Sequence, residues 1–188
     1  MQLRVSASSR SSAGHDIDTG EAAGAACELT ILGNGFFVVR DPASNTSYAT
    51  QVGRFSLDAQ GYLVTNNGAR VQGRTNGALS ALGDIHISLA ELCQAATPAP
   101  ALAGFAIDDQ GKLTVHLSDG TSFLRGQIML QNFQDPQALV CEGNQLYSNL
   151  SVAGPLPTLT APGSNGLGTI QMGSLEPAKS GPLDYWPD

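Results

Sequence analysis

The chain has 188 residues, a formal charge of −7 and only nine Lys and Arg, scattered along it. That balance argues against nucleic acid, whose binding draws on basic side chains that displace phosphate counterions. A hydrophobic content of 41% with 13% charged residues excludes a disordered chain, and no apolar run reaches the roughly 18 residues of a membrane helix.

The length favours one domain, and 22 glycines with few strong helix formers suit a β-rich, turn-rich one. Residues 1–28 are Ser-, Ala- and Gly-rich without a period and are expected to be extended or flexible. They hold no apolar h-region, so no cleavable signal peptide is expected. Glu28-Leu29-Thr30-Ile31-Leu32 alternates as a strand with Leu29 and Ile31 on one face. Gly33-Asn34-Gly35 breaks it, and Phe36-Phe37-Val38-Val39-Arg40 reads as a buried second strand whose phenylalanines enter the core.

Asp41-Pro42-Ala43-Ser44-Asn45 carries turn chemistry. Short strands follow at Tyr48–Gln51 and Arg54–Leu57. In Phe55-Ser56-Leu57-Asp58-Ala59-Gln60-Gly61-Tyr62-Leu63, residues 58–61 form a turn and Tyr62–Thr65 returns the strand. Asn67-Gly68 is a hairpin signal, left by Ala69–Gln72 and ended at Gly73. Asp84–Leu89 alternates with Ile85, Ile87 and Leu89 inward. A Thr-Pro-Ala-Pro linker follows.

Phe105-Ala106-Ile107-Asp108-Asp109-Gln110-Gly111-Lys112-Leu113 then repeats the earlier phrase fifty residues on, with an Asp119-Gly120 turn after it. Two strand–turn–strand–turn–strand units are too few for a solenoid, so they are expected to pair or stack within one β-domain. Gly126–Phe133, containing Asn132-Phe133, reads as a strand closed by Asp135-Pro136. One helical turn is expected over Pro136–Val140, including Leu139, with Asp135 as cap. Asn144–Asn149 is expected to be a short strand holding Leu146 and Tyr147 after Gly143. Gly154–Gly168 is loop, Thr169–Leu175 a last strand, and the tail has no periodicity.

No catalytic set emerges. His86 and His116 occupy the polar phase of alternating segments and are expected at the surface, and His15 lies in the loose start. Asp108-Asp109-Gln110-Gly111 resembles half a calcium loop, but Lys112 falls in the ligand run, so an Asp–Gly turn explains it better. Asp58 and Asp108 as a glycosidase pair are outweighed by their equivalent places in two turns. Gly163-Ser164-Asn165-Gly166-Leu167-Gly168 follows a Pro-rich loop and opens no helix, against a phosphate loop. Cys27, Cys93 and Cys141 show neither a CxxC pair nor zinc spacing. No metal and no cofactor is expected. A β-domain that binds a small ligand or carbohydrate is the other class the polar surface allows.

Taken together, these motifs are similar to those of the bacterial flagellar rod and hook proteins, the hook–basal-body family. Leu29–Val39 resembles that family's glycine corner. Arg54–Thr65 with Gly68–Gly73 resembles its "GxFxLDxxGYLVTxxGxxVQG" stretch, and Gln127–Tyr147 its "LxxFxNPxxLxxxGxNLY" segment. Ala161–Ile170 with Gly173-Ser174-Leu175-Glu176 resembles its close. The resemblance implies an all-β domain of meanders and hairpins with short helical turns, as in the outer domain of those subunits. It places the domain at 29–176, with a sub-lobe at 74–125 and a tail at 177–188. It further implies a non-enzymatic subunit, exported by the flagellar type III apparatus, that assembles with copies of itself and other rod or hook subunits into a helical tube. Neither membrane insertion nor nucleic acid is implied. The family's terminal helices have no counterpart motif here, so a lone outer domain or a short paralogue is expected, as a monomer or weak oligomer. The short outer insertion leans toward rod rather than hook.

Overall fold

The structure is a computed structural model that describes residues 26–87, 100–156 and 159–173. Leu89, Cys93, His15, Leu175, Glu176 and the 177–188 tail lie outside the described residues.

Alternation writes the first strand. β1 (Ala26–Leu32) buries Cys27 and Leu29, half-buries Ile31 and exposes the residues between. It already begins at Ala26, inside the segment expected to be loose. β2 (Phe36–Arg40) is buried at its three central residues, in keeping with its unbroken apolar run. A turn held by Asp41, which accepts from Ala43 N and Ser44 Oγ, leads to β3 (Ser47–Thr50). The first meander is β4 (Gly53–Leu57), β5 (Leu63–Thr65) and β6 (Arg70–Thr75). β7 (Ala81–Asp84) follows. The second meander is β8 (Leu102–Ile107), β9 (Lys112–Leu117) and β10 (Ser122–Ile128). Last come β11 (Leu130–Gln131), a 3-10 turn at Pro136–Ala138, β12 (Val140–Gly143), β13 (Leu146–Ser148) and β14 (Thr169–Gly173).

The named strands join in one antiparallel network with the order β12-β13-β3-β2-β6-β5-β4-β1-β14. β6 is the branch point. Its first residues meet β2 and β5, while its later residues carry β7 on one edge and β10-β9-β8 on the other. The two meanders therefore pair through their third strands, Gly126 opposite Thr75 and Ile128 opposite Gly73. One core serves both: Phe37, Phe55, Leu63 and Val71 lie in the same cluster as Ile107, Leu113, Val115 and Ile128.

Several expected elements differ in extent. Of the segment expected as a strand over 84–89, the described part, 84–87, lies in a named strand only at Asp84. Beyond it Ile85 and Ile87 are buried, but the chain crosses from β6 to β5 and the turn before it, with Ile85 N bonding to Val71 O, Leu63 N to Ile85 O and Ile87 N to Gly61 O. The 126–133 segment is split at Met129. Ile128 N serves Gly111 O, whereas Leu130 has turned to pair with Phe37 and Thr160. Asn144 and Gln145 belong to no strand. Both have positive φ (49° and 57°) and form the two-residue turn between β12 and β13. The phenylalanines of β2 separate by pleat: Phe37 is fully buried in the main core. Phe36 faces the other way, edge-on to Phe133 at 5.6 Å and to Tyr147 at 6.0 Å in a smaller cluster with Ala49 and Ala153.

Candidate functional site

The motif residues come together as structural joints. Gly33 and Gly35 have φ of +124° and +130°, a region where side chains other than hydrogen are strained. Gly168 N donates to Asn34 O at 2.7 Å, and a Cβ on Gly168 would sit 2.5 Å from Leu32 O and 2.9 Å from Gly33 Cα. The glycine corner and the Gly166-Leu167-Gly168 segment thus cross backbone against backbone, with Leu167 buried beneath Gly35.

The repeated phrase makes the same joint twice. Asp58 Oδ1 accepts from Gln60 N (2.9 Å) and Tyr62 N (2.8 Å). Asp108 Oδ1 accepts from Gln110 N (3.0 Å) and Lys112 N (2.8 Å). Gly61 O takes Ile87 N, and Gly111 O takes Ile128 N. The hairpin tips are equivalent too: Gly68 N bonds to Thr65 O, and Gly120 N to Leu117 O. Both carboxylates are engaged by their own turns, which accounts for the residues without acid–base chemistry.

One polar cluster has no sequence signature. Asp84, with its side chain 8% exposed, receives hydrogen bonds from Arg40 Nε (3.0 Å), Gln72 Nε2 (2.6 Å) and Arg70 Nη1 (3.2 Å). The Arg70 guanidinium lies 3.7 Å above the Tyr62 ring, and His86 stacks on the same ring at 4.4 Å. Its partners are 44, 14 and 12 residues from Asp84, so no spacing rule could have found it. His86 Nε2 lies 2.8 Å from Gln60 O, and exposed His116 has Nδ1 2.8 Å from Ser122 Oγ. Cys27 is buried, and its burial pushes the thiol up to about 12, against a weaker backbone hydrogen bond to Phe55. Cys141 is exposed.

Among the described residues, no group of three or more His, Cys, Asp or Glu could hold a metal ion, and no helix is long and apolar enough to cross a membrane. The surface depressions are open and polar, about 340–410 Å³ each.

Against known proteins, residues 30–115 match the flagellar hook protein FlgE/F/G D1 domain. The flagellar basal-body rod protein FlgG of Buchnera aphidicola subsp. Baizongia pistaciae is 30% identical over 150 residues, 79% of this chain and 49% of that protein. FlgG of Bacillus subtilis is 27% identical over 162 residues, 86% and 54% of the two chains. FlgG of Caulobacter vibrioides is 32% identical over 144 residues, 76% and 46%. The chain spans about half the length of these curated relatives. A Helicobacter pylori flagellar hook protein FlgE2 structure covers 73% of this chain and 32% of its own at 14% identity, with a TM-score of 0.31.

Proposed function

Because this chain belongs to the flagellar hook and rod protein family, we propose that it supplies a structural β-domain to the axial tube of the bacterial flagellum. It acts by protein–protein contact within that helical tube, carries torque through it and performs no catalysis. Its place is the basal-body rod or hook, reached through the flagellar type III apparatus. The rod is favoured because the relatives described above are rod proteins. A contact that repeats between unlike surfaces, without closing, generates such an open helix.

The observation that carries this reading is the fate of the motif residues. The glycine corner, the paired Asp turns and the aromatic pair Phe37–Phe55, edge-on at 5.2 Å, all stiffen a framework, and none of these presents a reactive group in a cleft. The test is an in-frame deletion in the native host, read by motility and by electron microscopy of isolated basal bodies. Rods or hooks that are missing or shortened are expected. Intact basal bodies with full motility would overturn the proposal.

A further inference from the structure

Three depressions of the surface, of about 400, 400 and 340 Å³, share their walls. Val52, Arg54 and Gln145 line both the first and the last, and Asn67, Asn144 and Leu146 line both the first and the second. They form one continuous groove between two hairpin tips, that of β5–β6 with Asn66 and Asn67 and that of β12–β13 with Asn144 and Gln145. Thr50 and Leu146, both buried, lie beneath.

Of the amides that line it, the fold uses Asn67, whose Oδ1 accepts from Thr65 Oγ1, and leaves the others to the groove. Asn66, Asn144 and Gln145 are exposed, and their side-chain amides have no hydrogen-bond partner among the described residues. Gln145 also sits where the fold alone would not put it. With φ at 57° in the second position of a two-residue hairpin turn, it occupies a site where glycine is favoured. A long side chain held in that conformation strains the backbone, and such strain marks positions kept for a contact. Each amide offers both a donor and an acceptor, the complement of a peptide group. Of aromatic residues the groove holds Tyr48 at one end, half-buried and packed against the main core.

We infer that this groove receives an extended backbone segment of a second copy of the chain. Its Asn and Gln side chains pair with the peptide N–H and C=O groups of that segment. This rests on the assembly reading above, to which it adds the surface and the chemistry of one contact.

The experiment places the photo-crosslinking residue p-benzoylphenylalanine at Asn66, in the groove, and separately at exposed Leu82 on β7, outside it, in the concentrated full chain. Illumination should join the Asn66 variant to a second copy. In that background Gln145→Gly, which gives the turn its favoured Asn-Gly, should lower the yield about tenfold, the loss of one or two hydrogen bonds, while the melting temperature stays the same or rises. Crosslinks from Leu82 but none from Asn66 would overturn the groove and leave the assembly reading standing. Crosslinks from neither position would overturn both. A yield unchanged by Gln145→Gly, or crosslinking abolished by a chitooligosaccharide that also raises the melting temperature, would likewise overturn the inference.

Discussion

Asp84 gathers three side chains from two strands, and its protonation is coupled to folding. Burial alone would push its carboxyl up, but hydrogen bonds from Arg40, Gln72 and Arg70 outweigh that and hold it below the ordinary carboxylate range. Since the folded value is depressed, the stability it contributes is present above the unfolded value of about 3.9 and is lost as pH falls through the lower folded value. Asp84→Asn should lower stability at pH 7 by roughly 1–3 kcal/mol, the usual worth of hydrogen bonds to a charged group. It should also flatten the acid limb of stability below about pH 4, measured by urea melts across pH. Cys27 gives a second residue-level expectation. With its thiol pushed up to about 12 it holds almost no thiolate at pH 8. In a variant with Cys93 and Cys141 replaced by Ser, the remaining thiol should react with a disulfide reagent only as the protein unfolds. Phe37→Ala should cost roughly 3–5 kcal/mol, because the ring is fully buried. A loss below about 1 kcal/mol in denaturant melts would place the ring's contribution outside the core.

At the scale of elements, the two meanders predict an order among glycine substitutions. A Cβ at Gly61 would meet Ile87 O at 2.4 Å, and one at Gly111 would meet Ile128 O at 2.5 Å, on top of a positive φ. Gly68 and Gly120 have the same handedness but open space around them. Alanine at Gly68 or Gly120 should therefore cost only the conformational strain of about 1–2 kcal/mol, and alanine at Gly61 or Gly111 clearly more. Thermal melts of the four variants decide it; equal losses at all four would show that the turns are not clamped to their neighbours. Much of this was legible in the sequence, since a phrase repeated fifty residues apart with Asp and Gly at the same offsets specifies the same turn. The β12–β13 hairpin was not legible, because Gln145 takes a conformation that its side chain does not advertise.

For the molecule as a whole, the decisive feature is that β6 of the first meander pairs with β10 of the second and that one core contains residues of each. The described domain should therefore unfold in a single transition, with near- and far-ultraviolet circular dichroism midpoints coinciding in urea. Two separated midpoints would show that the second meander is an independent lobe.

What the sequence determined by itself was local. It specified which faces of the strands are apolar, where the chain turns, that two units are alike, and which catalytic and nucleic-acid chemistries lack their residues. These are properties of neighbours a few positions apart, written in pleat alternation and in the φ preferences of Gly, Asn and Asp. Only the tertiary structure decided that Gly33 packs on Gly168, that Asp84 draws in Arg40 and Arg70, that β6 pairs with β10, and that Asn66 and Gln145 line one groove. Those contacts depend on strand register and on the direction of distant backbones, which no short window of residues contains.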